Sequence, residues 1–304
     1  MNNYRLLPQS ADEKYYRERT DRNIGWITKA EQDSLKHAVV GIAGCGGMGG
    51  LIAATLVRIG IGEVRIADNE VFDTSNINRQ FAATRRSIGK SKADETAKMI
   101  REISDDTTLV VYPQGINEQS VSHFLEGCDV VCDEIEFWAV GARILLHQKA
   151  RALGVSVFNC NTVGFGTRLF LFEPDGYTME EQLGLSFERA MELQQKIQSR
   201  TATAADIKIV MDALIAGLIV ELPEYSADTT IYSTVETGLK RLVEEGRAPI
   251  IGTNPPMASG FLSDHVLFYL LRNSAVKRNV VRPPKAPGYL CFDAGLLEAK
   301  KVSR

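Results

Sequence analysis

The chain has 304 residues, 44% hydrophobic and 24% charged, enough to bury one sizeable core or one core with a small appendage. Thirty-five Lys and Arg against 38 Asp and Glu give a formal charge of −3, which leaves no global positive field for nucleic acid or an anionic membrane. Five scattered cysteines, odd in number and without a C-x-x-C pair, speak against a disulfide framework or a four-cysteine zinc site.

Residues 1–22 contain no apolar stretch of signal-peptide length and alternate charge signs from Asp12 onward, which predicts a cytoplasmic protein. Residues 1–36 read as an N-terminal arm. An apolar run at 38–43 flows into GCGGMGG and then into a helix at 51–59, giving strand, glycine loop, helix. The alternation continues with strands at 63–67, 108–112, 129–132 and 155–159 and helices at 91–103, 119–126 and 139–153. That rhythm predicts a doubly wound, Rossmann-like α/β fold with a mainly parallel sheet and helices on both faces. A further strand at 168–172 closes on the turn EPDG and completes a core at 37–176.

Beyond it, residues 177–249 read as a helical insertion. The most apolar later stretch, 207–223, is interrupted by Lys208, Asp212 and Glu221 and falls short of the roughly 20 residues that span a bilayer, so it reads as a buried helix. Residues 253–260 (TNPPMASG) read as a loop leading into an apolar helix at 261–271, and 250–304 as the return to the core.

In the loop Gly44-Cys45-Gly46-Gly47-Met48-Gly49 the glycines permit a tight turn and close approach to a phosphate, and the following helix offers unpaired N–H groups and the positive end of its dipole. Asp68 ends the next strand 24 residues beyond Gly44, where a carboxylate accepts hydrogen bonds from ribose hydroxyls. This pattern fits NAD and ATP alike. The stretch from Asp68 to Gln80, with Asn76 and Arg79, followed by Gly89-Lys90-Ser91-Lys92, separates them. A redox Rossmann domain has no evident use for a polar and cationic cluster just past the second strand. A triphosphate uses Arg and Lys to neutralise its oxygens.

These features resemble the ThiF/MoeB/HesA family of ubiquitin-activating-enzyme-like proteins, whose hallmarks are a G-x-G-x-x-G loop, a D-x-D/E after the second strand, an N-x-x-R-Q box and a Lys opening the next helix. Arg22, in Arg19-Thr-Asp-Arg22-Asn23, is similar to the second arginine of the family's R-x-x-R-Q arm. The resemblance covers roughly residues 17–173 and is weaker at the last apolar helix. It implies that Gly44, Gly46 and Gly49 form the phosphate loop, that Asp68 holds the ribose, and that Asn76, Arg79 and Lys92 take the phosphates. It also implies a homodimer in which Arg22 reaches the γ-phosphate in the partner's site. Where the family reads D-x-x-D-N, with the second Asp close to magnesium, this chain has Asp133-Glu134-Ile135-Glu136-Phe137, so Glu136 is the expected Mg2+ ligand and Asp133 and Glu134 are alternatives.

Cysteine marks the second departure. Many relatives carry a nucleophilic Cys in a crossover loop, yet no Cys lies between Asn161 and Leu290 here. Cys45 and Cys160 read as small apolar residues. In Asn161-Thr-Val-Gly164-Phe-Gly166-Thr-Arg168 two glycines leave room for an extended peptide, or make a simple bend. The expected activity is ATP- and Mg2+-dependent adenylation of a carboxylate without an enzyme thioester. The resemblance makes the acceptor the C-terminus of a ubiquitin-like or sulfur-carrier protein, or a peptide. The rivals are an NAD-dependent Rossmann oxidoreductase, favoured by the glycine loop alone, and a catalytically inactive binding subunit of the same fold, against which Arg22, Arg79 and Lys92 argue.

Overall fold

The computed structural model describes residues 3–9, 12–221, 223 and 249–304. The chain opens with a short strand β1 (Tyr4–Leu6) and helices α1 (Glu13–Thr20) and α2 (Lys29–Lys36). Asp12 caps the first through the N–H of Lys14, and Thr28 and Glu31 close a reciprocal capping box on the second. Then come β2 (Val39–Ala43), α3 (Gly49–Ile59), β3 (Glu63–Ala67), α4 (Lys92–Ile103), β4 (Thr108–Tyr112), α5 (Val121–Leu125), β5 (Val130–Asp133), α6 (Val140–Ala152) and β6 (Ser156–Val163). Both α4 and α6 fall within a residue of their expected limits.

Strands β4, β3, β2, β5 and β6 lie side by side in that order, every pair parallel. Strand order reverses between β2 and β5, which makes the carboxyl ends of those two strands the topological switch point where open α/β sheets hold ligands. The sheet then extends antiparallel at both ends. β1 joins β4, while β7 (Gly166–Phe172), β8 (Tyr289–Asp293) and β9 (Glu298–Val302) follow β6. The centre is the expected parallel block, and the last two strands are an addition the periodicity does not flag. β9 (EAKKV) is largely exposed, and its charged residues suit an edge strand that must not pair with other chains.

Two apolar clusters cover the two faces. Val40, Ile42, Val64, Ile66, Cys132 and Phe158 pack with Ile52, Leu56 and Ile100 from α3 and α4 and with Ala258, Leu262 and Val266 of α10 (Asn254–Leu270). Ala43, Val131, Val157, Phe170 and Phe172 pack with Val140, Ile144 and Leu146 of α6 and with α7 (Met179–Leu183), α8 (Phe187–Gln198) and α9 (Ala204–Leu214), which runs into the π-turn Ile215–Ile219. The described part of 177–249 is thus helical and closes one face of the sheet; residues 222 and 224–248 lie outside the described residues.

The expected loop at 253–260 is instead the first turns of α10, which begins at Asn254. Pro255 and Pro256 occupy its first turn, where a missing N–H breaks no helical bond and the ring presets φ. The N-terminal arm is held to its own chain: Tyr16 Oη donates to Gln32 O at 3.1 Å and Gly60 O at 2.9 Å, and Arg19 forks onto Asp106 at 2.7 and 2.8 Å.

Candidate nucleotide site

The loop between β2 and α3 turns on two glycines the fold requires. Gly44 has φ +106°, and a Cβ there would stand 2.0 Å from Glu134 O; one on Gly49 would stand 1.9 Å from Gly44 O. Gly46 differs. The nearest atom to its Cβ position is Gln80 Nε2 at 3.7 Å, so packing does not demand a glycine there, and the open approach suits a ligand oxygen. Met48, the N-cap residue of α3, makes no side-chain cap, and apart from the Gly50 N–H, which donates to Gly46 O at 3.4 Å, that helix's first N–H groups are available to an anion.

Asp68 ends β3 beside this loop. Its Oδ2 accepts the Cys45 N–H at 2.7 Å and its Oδ1 the Glu70 N–H at 2.8 Å, so the carboxylate braces the glycine loop and retains lone pairs for a further donor. Burial raises its pKa, while the charge of Lys92 opposes that shift.

From Glu70 the chain makes an excursion that is pinched at its base, where Phe72 N–H donates to Lys90 O and Lys92 N–H to Glu70 O, both at 2.9 Å. Lys92, at the start of α4, is almost wholly buried and its Nζ lies 2.6 Å from Glu70 Oε2. The excursion's tip returns over the glycine loop, with Arg79 O 3.4 Å from the Gly47 Cβ position and Pro255 of α10 against the same glycine. Arg79 donates from Nη1 to Ser75 O and Asn78 Oδ1 and has no carboxylate partner among the described residues; burial lowers its pKa. Asn76 is buried, and its Oδ1 accepts the Asp73 N–H. Gln80 is buried with Oε1 unpartnered. Glu70 and Gln80 were legible as members of the D-x-D/E and N-x-x-R-Q motifs, but spacing gave them no individual roles.

Three carboxylates lie at and just beyond the end of β5, and geometry separates them. Asp133 is wholly buried, accepting from Arg143 Nε and Asn159 Nδ2 at 3.0 and 3.2 Å and bonding His147 Nε2 at 3.0 Å, so it fastens α6 and β6 to β5. Arg143 holds its pKa down against the opposing effect of burial. Glu134 turns inward, Oε1 without a partner, and burial pushes its pKa well up. Glu136 reaches solvent from a recessed position. Surrounding protein and the charge of Glu70 raise its carboxyl to about 7, while the Trp138 N–H and the charges of Arg143 and Lys92 act the other way. Of the three, Glu136 therefore shares its surroundings with Glu70 and Lys92.

Arg22 stands elsewhere. It is exposed, with neither hydrogen bond nor ion pair among the described residues, on a turn whose Asn23 donates to Ile59 O at 2.9 Å. That is the far end of α3 from the glycine loop, about 16 Å away along an 11-residue helix. Asn161–Arg168 forms a β6–β7 hairpin with Gly164 (φ +60°) in its two-residue turn, so the bend reading holds there. Cys45, Cys128, Cys132 and Cys160 are buried, and burial raises each thiol's pKa, that of Cys128 to about 12. Among the described residues no group of three or more His, Cys, Asp or Glu could hold a metal unaided, and no helix is long and apolar enough to cross a membrane.

A glycine loop at a helix N-terminus, a braced acid and two cations beyond β3, at the switch point of a doubly wound sheet, are the arrangement of an α/β protein of the Rossmann-like class. Residues 20–293 match the ThiF family, and the chain belongs to it. It is 29% identical over 142 residues to the adenylyltransferase and sulfurtransferase MOCS3 of Mus musculus (47% of this chain, 30% of that protein). It is 30% identical over 113 residues to the tRNA threonylcarbamoyladenosine dehydratase of Bacillus subtilis (strain 168) (37% and 44%). These matches therefore span less than half of each curated relative. The crystal structure of E. coli MccB with ATP superposes at TM-score 0.61 with 14% identity, over 97% of this chain and 72% of that one, a likeness of fold.

Proposed function

We propose that the chain adenylates a carboxylate with ATP, and the observation that carries this is the Asp68 carboxylate bracing the glycine loop at the Cys45 N–H while the excursion that bears Arg79 and ends at Lys92 returns over Gly47. In this reading Gly46 and the α3 N-terminus receive phosphate oxygens, Asp68 the ribose, and Asn76, Arg79 and Lys92 the polyphosphate. A substrate carboxylate oxygen attacks the α-phosphorus; the P–O bond to the β-phosphate breaks, and pyrophosphate leaves with the electron pair. The products are an acyl-adenylate and pyrophosphate. Alignment and cationic neutralisation of the leaving group supply the rate, and no side chain need act as nucleophile. Membership of the ThiF family and likeness to an adenylyltransferase support this reading.

Mg2+ fits the donor set, since Glu136 and Glu70 offer hard oxygen ligands and the ion commonly takes one or two carboxylates together with phosphate oxygens. Bound there it would add positive charge to the polyphosphate. The acceptor is a peptide or the C-terminus of a ubiquitin-like or sulfur-carrier protein, and the raised thiol pKa values favour chemistry without an enzyme thioester. Arg22 is too far from its own glycine loop to serve it, which favours a homodimer in which it serves the partner's site. ATP-dependent pyrophosphate exchange, with NAD as competitor, tests the activity. Exchange insensitive to NAD supports it, and NAD binding without ATP binding overturns it.

A further inference from the structure

Arg168 lies on β7, on the face covered by α6 to α9, and is 5% exposed. A guanidinium buried to this degree is ordinarily met by a carboxylate. Arg168 has none within ion-pair distance among the described residues. Its Nη1 donates to Thr167 O at 3.3 Å and its Nη2 to Glu221 O at 3.1 Å, two neutral carbonyls. Asp293, two residues beyond its cross-strand neighbour Cys291, accepts from the Gly295 and Leu296 N–H groups instead.

The carbonyl from Glu221 is delivered by an unfavourable backbone. Val220 has φ +66° and ψ −59°, and the Glu221 N–H closes a three-residue turn onto Ile219 O at 2.8 Å. A β-branched residue in that region is strained, and such strain collects at ligand sites.

Register places this cation relative to the glycine loop. Ala43, Asp133 and Asn159 lie in one row across β2, β5 and β6, and Arg168 pairs with Asn161, two residues beyond that row towards the carboxyl ends of the parallel strands. It therefore sits at the end of the sheet that holds the glycine loop, two strands from β5, about 10 Å sideways at the usual strand spacing. A triphosphate on the glycine loop lies a strand further off still. An extended chain reaching back from a carboxylate near Glu136 covers that distance in about three residues.

We infer that Arg168 is a specificity residue that receives a carboxylate of the acyl substrate, so that the substrate is a peptide or protein tail with an acidic residue two or three positions before the carboxyl that reacts. This rests on the adenylation reading.

Two peptide pairs test it: Ala-Glu-Ala-Gly against Ala-Gln-Ala-Gly, and Glu-Ala-Ala-Gly against Gln-Ala-Ala-Gly. Each is titrated calorimetrically into the full chain, with and without a non-hydrolysable ATP analogue and Mg2+. In at least one pair the wild-type protein should bind the Glu peptide tenfold or more tightly than its Gln counterpart. Arg168→Met should abolish the difference and melt at or above the wild-type temperature, because an unmatched buried charge is gone; Arg168→Lys should keep part of it. Absence of discrimination in both pairs overturns the inference, as does discrimination that persists in Arg168→Met, or a melting temperature several degrees lower, which would show Arg168 to be a structural clamp on Glu221. Failure of the ATP analogue alone to bind would instead strike at the nucleotide reading, and the titrations without it still judge Arg168.

Discussion

Lys92 Nζ and Glu70 Oε2 stand 2.6 Å apart, an ion pair whose ammonium is buried and whose carboxylate is about half exposed. The pair holds a cation beside the glycine loop without a substrate to neutralise. Lys92→Ala and Arg79→Ala should each slow adenylate formation about 100-fold, the usual effect of removing one preorganised charge-stabilising group. Folding should survive, since Glu70 and Arg79 both keep access to solvent. Pyrophosphate exchange checks the rate and circular dichroism the fold; wild-type turnover in both variants would refute these roles.

The position of Arg22 predicts complementation between damaged subunits. Arg22→Ala mixed with Lys92→Ala should recover about a quarter of normal activity under random exchange, because half the dimers would then hold one intact composite site of two. Fluorescence exchange between labelled subunits establishes the mixing. A mixture that stays inactive after proven exchange, or an active monomer at assay concentration, removes Arg22 from the partner's site.

Burial holds the thiols of Cys45 and Cys160 in their protonated form, and Cys160 Sγ is engaged with Thr167 Oγ1 at 2.9 Å. Cys160→Ala and Cys45→Ala should therefore form acyl-adenylate at close to the wild-type rate. A Cys160→Ala protein that binds ATP but makes no adenylate would show that a thiol acts after all.

Much of this was legible in the sequence because the apolar run at 39–43 and the apolar positions 64, 66 and 67 of EVRIA mark buried parallel strands: 39–43 and 63–67 were placed to within a residue. The cluster around Gly44, Asp68, Arg79 and Lys92 was legible because the motif order fixes which loops meet at the carboxyl ends of β2 and β3. Other features were not. Two prolines disguised the start of α10, and β8 and β9 carry too little apolar alternation to declare themselves. Spacing alone left Asp133, Glu134 and Glu136 unresolved, since their difference lies in Arg143 and His147, which arrive from α6. Nor did the sequence reveal that Arg168 would be buried with no carboxylate partner among the described residues.

His265 on α10 supplies a pH dependence. It is buried between Phe261 and Phe268, its Nδ1 has no partner, and burial lowers its pKa to about 4. An unfolded His titrates near 6.5, so between about 6.5 and 4 the unfolded chain binds more protons and stability falls as pH falls. At pH 5 the loss should be about 2 kcal/mol relative to neutral pH. Urea titrations at pH 7 and pH 5 should show that His265→Leu loses about that much less than wild type; equal losses would mean that other groups govern the acid limb.

Trapping the intermediate shows whether ATP is used to activate a carboxylate. The protein is incubated with cell extract and ATP labelled at the α-phosphate, and the labelled product is analysed by mass spectrometry. An AMP-linked acyl species should form with release of pyrophosphate, and about 100-fold more slowly in Lys92→Ala. ATP bound without any acyl-AMP or pyrophosphate would contradict the adenylation reading and make the chain a binding subunit of the same fold.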